Sequence, residues 1–552
     1  MLCLVAAAVV GLGTLGIRAG FLADHGGLNA ATATEQSPIY SVWKVMQGED
    51  AYGWPQEAPF ATSLYNGAFY YSYAGVLGLL GVEGPAMVAA GRNLTLLLTV
   101  LGLIVHGLGM CRAARVSPRS GTALGLWAMA AIVWLGTPTS SAFAVSFRPD
   151  MPALLFVVLA LVQTWRALDS ETASRWAVAS LLFLVAWSLK QSVAFVFAGS
   201  CLYALVFRRR IPDLLALVVP FVAGVGLMLL LGGEAYRYNL LTLPTFTDTA
   251  PTAEFVEKLG QVAVEGALLW GGLIVAGVLA LRARGAGVGT GAGAAAGTAA
   301  AAGAAAGADA GAGAGAGAAA DSVAVGVTRV APRLGHDPRL RTLLLCQFVP
   351  ALLWGLIAMK RSGSSTNNIL EGVLVGSVLW AMAYAAPRRT PLHVATAVLG
   401  LLACGISVAQ MQSRETANWA MRIPLVNATE EQTVQREALA ELIETLPKPL
   451  FTWDETFSLP WFSTDSEVPA YVIERVIYNT MLARGLLPER GIKALLRDGT
   501  IRSVVVPEQD AVRQMASRAG FRSMPLPAAL RGARCLKTRG PQSRPFVVLV
   551  RD

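Results

Sequence analysis

The sequence predicts an α-helical polytopic membrane protein of about eleven transmembrane helices, with a small C-terminal α/β domain outside the cytoplasm. Three observations predict it. Of the 552 residues, 54% are hydrophobic and 14% charged, against about 25% charged in soluble proteins. Apolar runs of roughly 20 residues, the length that spans a bilayer, recur as far as residue 411. Beyond Gln412 the composition turns polar and alternates strand-like with helix-like stretches. The chain therefore divides into a membrane unit, 1–411, and an α/β unit, 412–552.

The first span, Met1 to Leu22, carries no Lys or Arg before Arg18. It matches a secretory signal poorly for want of a basic n-region, a cleavable signal being the alternative. A long polar loop, 23–66, follows at once, rich in aromatics and carrying Asp24, Glu35, Glu49, Asp50 and Glu57. Further spans are expected near 86–110, 121–142, 151–167, 175–189, 191–207, 212–232, 262–282, 341–359, 370–386 and 391–411. Short loops between them carry the basic clusters Arg112/Arg115/Arg119, Arg208 to Arg210, Arg282/Arg284, Arg333 to Arg341 and Arg388/Arg389. All of these fall on the cytoplasmic side if the amino terminus is cytoplasmic and residues 64–82 do not cross. That Gly-rich segment, with Tyr70, Tyr71 and Tyr73, suits an interfacial helix. The apolar run 175–207 overshoots one bilayer crossing and is broken by Lys190 and Gln191, which predicts a tight hairpin with LKQS at its outer turn.

Residues 285–331 form a cytoplasmic linker, almost wholly Gly and Ala up to Ala320. Interspersed Gly removes the helix preference of Ala, so it is expected to be disordered. In the C-terminal unit, 429–446 has helical spacing of apolar residues, and 448–453, 502–507 and 544–550 read as buried strands. Helices are expected near 467–486 and 508–519. The net charge of +9 is accounted for by topology-setting Arg residues and implies no nucleic-acid partner. Six Cys and four His are dispersed, with no metal or redox spacing among them.

Three places carry candidate chemistry. Glu35, in the first outer loop, is expected at the mouth of a lipid-lined cavity. There a carboxylate can take the proton of an acceptor hydroxyl, with Asp24 as rival base and a solvated loop acid as the structural alternative. Tyr40 and Trp43 beside it offer rings on which a sugar can stack. Arg148 and Asp150, in SFRPDMPALL, lie two apart where an ionised group beside lipid costs about 2.5–3.5 kcal/mol and needs a partner. They form either a mutually neutralising pair or part of a polar cavity, with Asp150 a third candidate catalytic carboxylate. Lys190 with Gln191, and Lys360 with Arg361, place cations at the outer face, where a phosphate is the natural counter-charge. The alternative for Lys360 and Arg361 is snorkelling to the headgroups. Arg92 is a weaker candidate of the same kind.

FRPDMPALLFVVLAL resembles the arginine–x–aspartate–methionine segment of bacterial multi-spanning glycosyltransferases of the GT-C fold, relatives of the protein mannosyltransferases and of the lipid A aminoarabinose transferase. The stretch from Glu35 to Tyr52, LKQS and NNILEG are similar to three further segments of that family, in the same order. The resemblance implies transfer of a sugar from a polyprenyl-phosphate donor to a glycan, lipid or protein acceptor outside the cytoplasmic membrane. It also implies an acidic base in the first outer loop. Relatives often carry an Asp-Glu pair there, where this chain has Thr34-Glu35. Some relatives use a divalent metal; the residues here require none. The competing class is a secondary transporter or lipid flippase, which would show paired repeats with helices broken at matching positions; none is visible.

Overall fold

The computed structural model describes residues 35–55, 62–170, 172–246, 251–265, 337–360, 366–385, 441–453, 491–531 and 546–551, with shorter pieces within 5–19, 434–438 and 471–486. Asp24, Arg361, the linker 285–331, the expected span 391–411 and most of that at 262–282 lie outside the described residues.

Polar caps and prolines set where the helices begin. α1 (Gln36–Met46) and α2 (Gly67–Leu79) belong to the first polar loop and its exit. α3 (Gly84–Ala113) has Pro85 in its first turn, where the missing N–H would be unpaired anyway. α4 (Gly121–Ala131) runs on through a wider turn to Gly136 and is capped by Ser120, whose side chain accepts from the Ala123 N–H. α5 (Pro138–Ala144) opens on a reciprocal Thr137–Ser140 capping box. Next come α6 (Asp150–Leu168), α7 (Ser174–Leu189), α8 (Ala194–Tyr203) and α9 (Ile211–Leu231). The amphipathic α10 (Thr252–Glu265) is followed by α11 (Pro338–Met359), capped by Asp337, and α12 (Leu370–Tyr384).

Five described helices are long and apolar enough to cross a membrane: Ala86–Ala113, α6, Gln191–Arg208, α9 and α11. Gly121–Gly136 and α7 are shorter apolar helices. α2, the expected non-crossing segment, has 13 residues and so rises about 20 Å, less than the ~30 Å hydrocarbon core. The break at Lys190 is where expected: α7 ends at Leu189, Lys190 is extended, and a 3₁₀ turn over Gln191–Val193 leads into α8.

α6 is the hub. It packs against α3 on one side and α7 on the other, while α8 packs on α11, α11 on α12 and α9 on α7. Glycines allow the closest approaches, as is usual between helices in lipid. A Cβ on Gly91 would meet the Phe147 ring at 2.0 Å, and one on Gly199 the Cys346 carbonyl at 2.2 Å. At the start of α12, a Cβ on Gly355 would come within 2.6 Å of the Asn368 carbonyl.

The C-terminal residues form a five-stranded sheet of order β2-β1-β3-β5-β4: β1 (Leu450–Trp453), β2 (Tyr471–Ile473), β3 (Ser503–Pro507), β4 (Arg522–Ser523) and β5 (Phe546–Val550). β1 pairs in parallel with β2 and β3, while β5 runs antiparallel to β3 and β4. α13 (Gly491–Asp498) and α14 (Ala511–Arg518) bury Ile492, Leu496, Val512 and Ala516 against it. The segments expected as strands at 448–453, 502–507 and 544–550 are β1, β3 and β5. The stretch expected as helix over 467–486 contains β2 in its first part and helical residues at 478, 481 and 482. That strand is three residues long and gains its ladder from β1, so no local periodicity announces it. Leu243, from the turn after α9, is buried in the same apolar cluster as Phe451 and Val504, with Leu64 of the first loop packed against it. The sheet therefore sits on the membrane unit next to the first loop.

Candidate active site

The candidate residues gather where the first loop, the amino end of α6, the α7–α8 turn and the start of α12 meet. α6 is preceded by a bent loop, Ser146 to Pro149, which turns Arg148 back on Asp150, the first helical residue. Arg148 Nε donates to Asp150 Oδ2 at 2.9 Å, and its guanidinium lies 4.6 Å from the centre of the Phe143 ring. A second guanidinium nitrogen donates to the Tyr65 hydroxyl of the first loop. The other oxygen of Asp150 faces Lys190 Nζ at 2.8 Å and accepts from Asn367 Nδ2 at 2.5 Å. Asp150 thus has both oxygens engaged by groups from three separate segments. All four residues are buried.

Lys190 is held between two carboxylates, since its ammonium also lies 3.3 Å from Glu371 Oε1. Burial acts to lower its pKa, but Asp150 and Glu371 outweigh that and hold it above the ordinary lysine value. Ser192 Oγ donates to the same Glu371 oxygen at 2.5 Å. Gln191 points the other way, its Nε2 donating to the Leu64 carbonyl at 2.8 Å and tying the hairpin turn to the first loop. The first loop is fixed again by Asn239, which donates to the Gly53 carbonyl at 2.8 Å and accepts from the Ser63 N–H at 3.2 Å.

Glu35 has a different setting from the cavity mouth expected of it. It precedes α1 and is fully buried, with Arg92 gripping it as a fork: Nε to Oε1 and Nη2 to Oε2, both 2.8 Å. The Phe147 N–H adds a third donor at 2.5 Å. Such bidentate, charge-assisted pairs are the strong ones. This pair joins the first loop to α3, and the Phe147 N–H joins it to the loop that carries Arg148. Arg92, expected as a weaker phosphate-binding candidate, is paired with Glu35 in this structure. Tyr40 is buried and stacks on Trp43, ring centres 5.8 Å apart, so its face is already covered on that side.

Of the cations expected to converge, Lys190 and Arg148 come together on Asp150. Lys360 does not join them: it ends α11 and is exposed, as snorkelling requires. The segment NNILEG is legible in the sequence, but not the two side chains it brings to the cluster, Asn367 and Glu371. The signal available was a lone acid at the head of an otherwise apolar helix, where an unpaired charge needs a counter-ion. Among the described residues no three His, Cys, Asp or Glu side chains stand together as a metal would need.

No family model matches this sequence, and no curated protein matches it. Solved structures do. The chain is similar to ArnT from Cupriavidus metallidurans bound to undecaprenyl phosphate, with TM-score 0.53 and 12% identity over 99% of this chain and 97% of that one. The apo ArnT structure gives the same values. A mycobacterial arabinofuranosyltransferase, AftD, matches at 13% identity and TM-score 0.44, covering 39% of its own length. Over nearly its whole length the chain has the GT-C fold of ArnT.

Proposed function

We propose that the protein is a membrane glycosyltransferase that moves a sugar from a polyprenyl-phosphate carrier to an acceptor on the extracytoplasmic face of the cytoplasmic membrane. The observation that carries this reading is the buried Arg148–Asp150–Lys190–Glu371 cluster, set within a fold shared with a protein solved with undecaprenyl phosphate bound. Four ionised groups beside apolar helices are expensive to place, and the bland alternatives of surface pairing or snorkelling do not apply to side chains this buried.

In the transfer, a carboxylate takes the acceptor hydroxyl's proton as the hydroxyl oxygen bonds to the anomeric carbon. The bond from that carbon to the phosphate oxygen breaks with inversion. Lys190 and Arg148 supply fixed positive charge to the phosphate as it leaves with the bonding electrons. Glu35, Asp24 and Asp150 are the candidate bases; of the two described, Glu35 would have to release Arg92 and Asp150 would have to release Lys190 or Arg148. Membranes containing the protein should turn over labelled polyprenyl-phosphate sugar and pass the label to envelope glycan, lipid or protein, and membranes lacking it should not. Label that crosses the bilayer still attached to its lipid would favour the flippase reading.

Orientation follows from the Arg clusters: amino terminus and Arg115 inside, 64–82 not crossing, and 412–552 outside. Single cysteines at position 115 and in the C-terminal sheet should label from opposite sides of the membrane, and labelling from one side would sink this topology.

A further inference from the structure

Glu371 is the member of the cluster with capacity to spare. Its Oε1 accepts from Ser192 and faces Lys190, whereas Oε2 is buried and has no hydrogen-bond partner. The residue is 3% exposed. A buried acceptor left unmade forfeits its hydration, which makes each such atom in a native structure call for an explanation. Asp150, by contrast, has partners on both oxygens. The backbone that carries it is closely packed: α12 begins against α11, with the backbone of Leu352 lying 3.3 Å from where a Cβ on Gly372 would be. Gln191, next to Lys190, leaves its Oε1 buried and unpartnered in the same way. Two buried acceptors, one on the residue after Lys190 and one on the carboxylate that faces it, thus lack donors.

Resting on the glycosyltransferase reading, we propose that Glu371 Oε2 binds a hydroxyl group of the sugar carried by the polyprenyl phosphate, while Lys190 and Arg148 hold the phosphate. A hydroxyl fits better than an amine. The charge of Glu371 is already matched by Lys190 at 3.3 Å, and an ammonium on Oε2 would stand beside that of Lys190, where like charges repel in a medium of low dielectric. The donor is therefore a lipid-linked sugar with a free hydroxyl at the bonded position.

The test measures binding of the full-length protein, in lipid nanodiscs, to four synthetic probes: bare polyprenyl phosphate, polyprenyl-phosphate pentose, polyprenyl-phosphate hexose, and an amino-substituted pentose on the same lipid. The wild type should bind at least one hydroxylated sugar lipid roughly tenfold tighter than the bare lipid, as one charge-assisted hydrogen bond allows. Glu371→Gln should lose most of that gain, read as the ratio of sugar-lipid to bare-lipid affinity within the same variant, and its binding of bare lipid at any affinity shows that it folded. The amino sugar should bind no tighter than its hydroxylated counterpart. An unchanged gain in Glu371→Gln, or a preference for the amino sugar, overturns the assignment. Bare lipid bound without any gain from a sugar overturns it and leaves the polyprenyl-phosphate reading standing; no binding of any probe removes both. Should Glu371→Gln fail to fold, singly deoxygenated sugars on the wild type replace it. One deoxy position should cost about tenfold, and a flat series overturns the proposal.

Discussion

Replacing Arg92 with Met should destabilise the protein by about 3–5 kcal/mol, the usual result of removing one partner of a buried ion pair. The change preserves most of the side chain's length and apolar stem but leaves Glu35 charged, fully buried, and without the fork that grips both its oxygens. Denaturant titration of the purified protein, followed by helix content, measures it. Glu35→Gln on its own should also destabilise, since Arg92 then stands uncompensated on an apolar span. The double variant should recover much of the loss, because a buried pair exchanged for uncharged groups is often close to neutral. Turnover of the double variant then separates two roles for Glu35. If Glu35 is the general base, activity stays at least ~10²-fold down even where stability returns. Turnover recovering together with stability would make the pair architectural and move the base to Asp24 or Asp150.

The second large effect is expected at Lys190. Lys190→Met removes the ammonium that lies 2.8 Å from Asp150 and 3.3 Å from Glu371. Losing one preorganised charge at a developing anion typically costs 10²–10³ in turnover, and that is the drop expected with a polyprenyl-phosphate sugar. Lys190→Arg should keep the charge and recover part of the rate, though a planar fork does not occupy the place of a compact ammonium. Near-normal turnover by a folded Lys190→Met protein would rule out the proposed phosphate site.

What was legible in the sequence follows from which costs are local. Long apolar helices and the break at Lys190 could be read directly, because lipid demands about 20 apolar residues and penalises a charge wherever it falls. The same penalty made Arg148, Asp150 and Lys190 visible as residues in need of partners. Which partner each took was not legible. Glu35 and Arg92 are 57 positions apart and Asp150 and Asn367 are 217 apart, separations that only helix packing closes. Glu35, in a polar loop, reads as an acid at a cavity mouth because nothing nearby in the chain shows that α3 will bury it. Glu371 hid for the opposite reason, standing at the end of a polar stretch where an acid attracts no notice. In the C-terminal unit, β3 and β5 announce themselves as runs of Val, whereas β2 exists only because β1 offers it an edge.

The contrast between α6 and α9 bears on how the chain can drift. Of the most apolar 18-residue window, 72% is buried in α6 but only 11% in α9. Leu215, Val219, Val222, Leu227 and Leu230 of α9 all lie on the exposed surface, and lipid tails set few conditions beyond greasiness. Side chains on α6 must each fit a particular neighbour, with Phe147 against Gly91 showing how tight the fit is at its entrance. Selection should therefore preserve identities along α6 and only average hydropathy along α9. Distant descendants of this chain would be recognisable by the residues around Arg148 and Asp150 long after α9 had become unalignable.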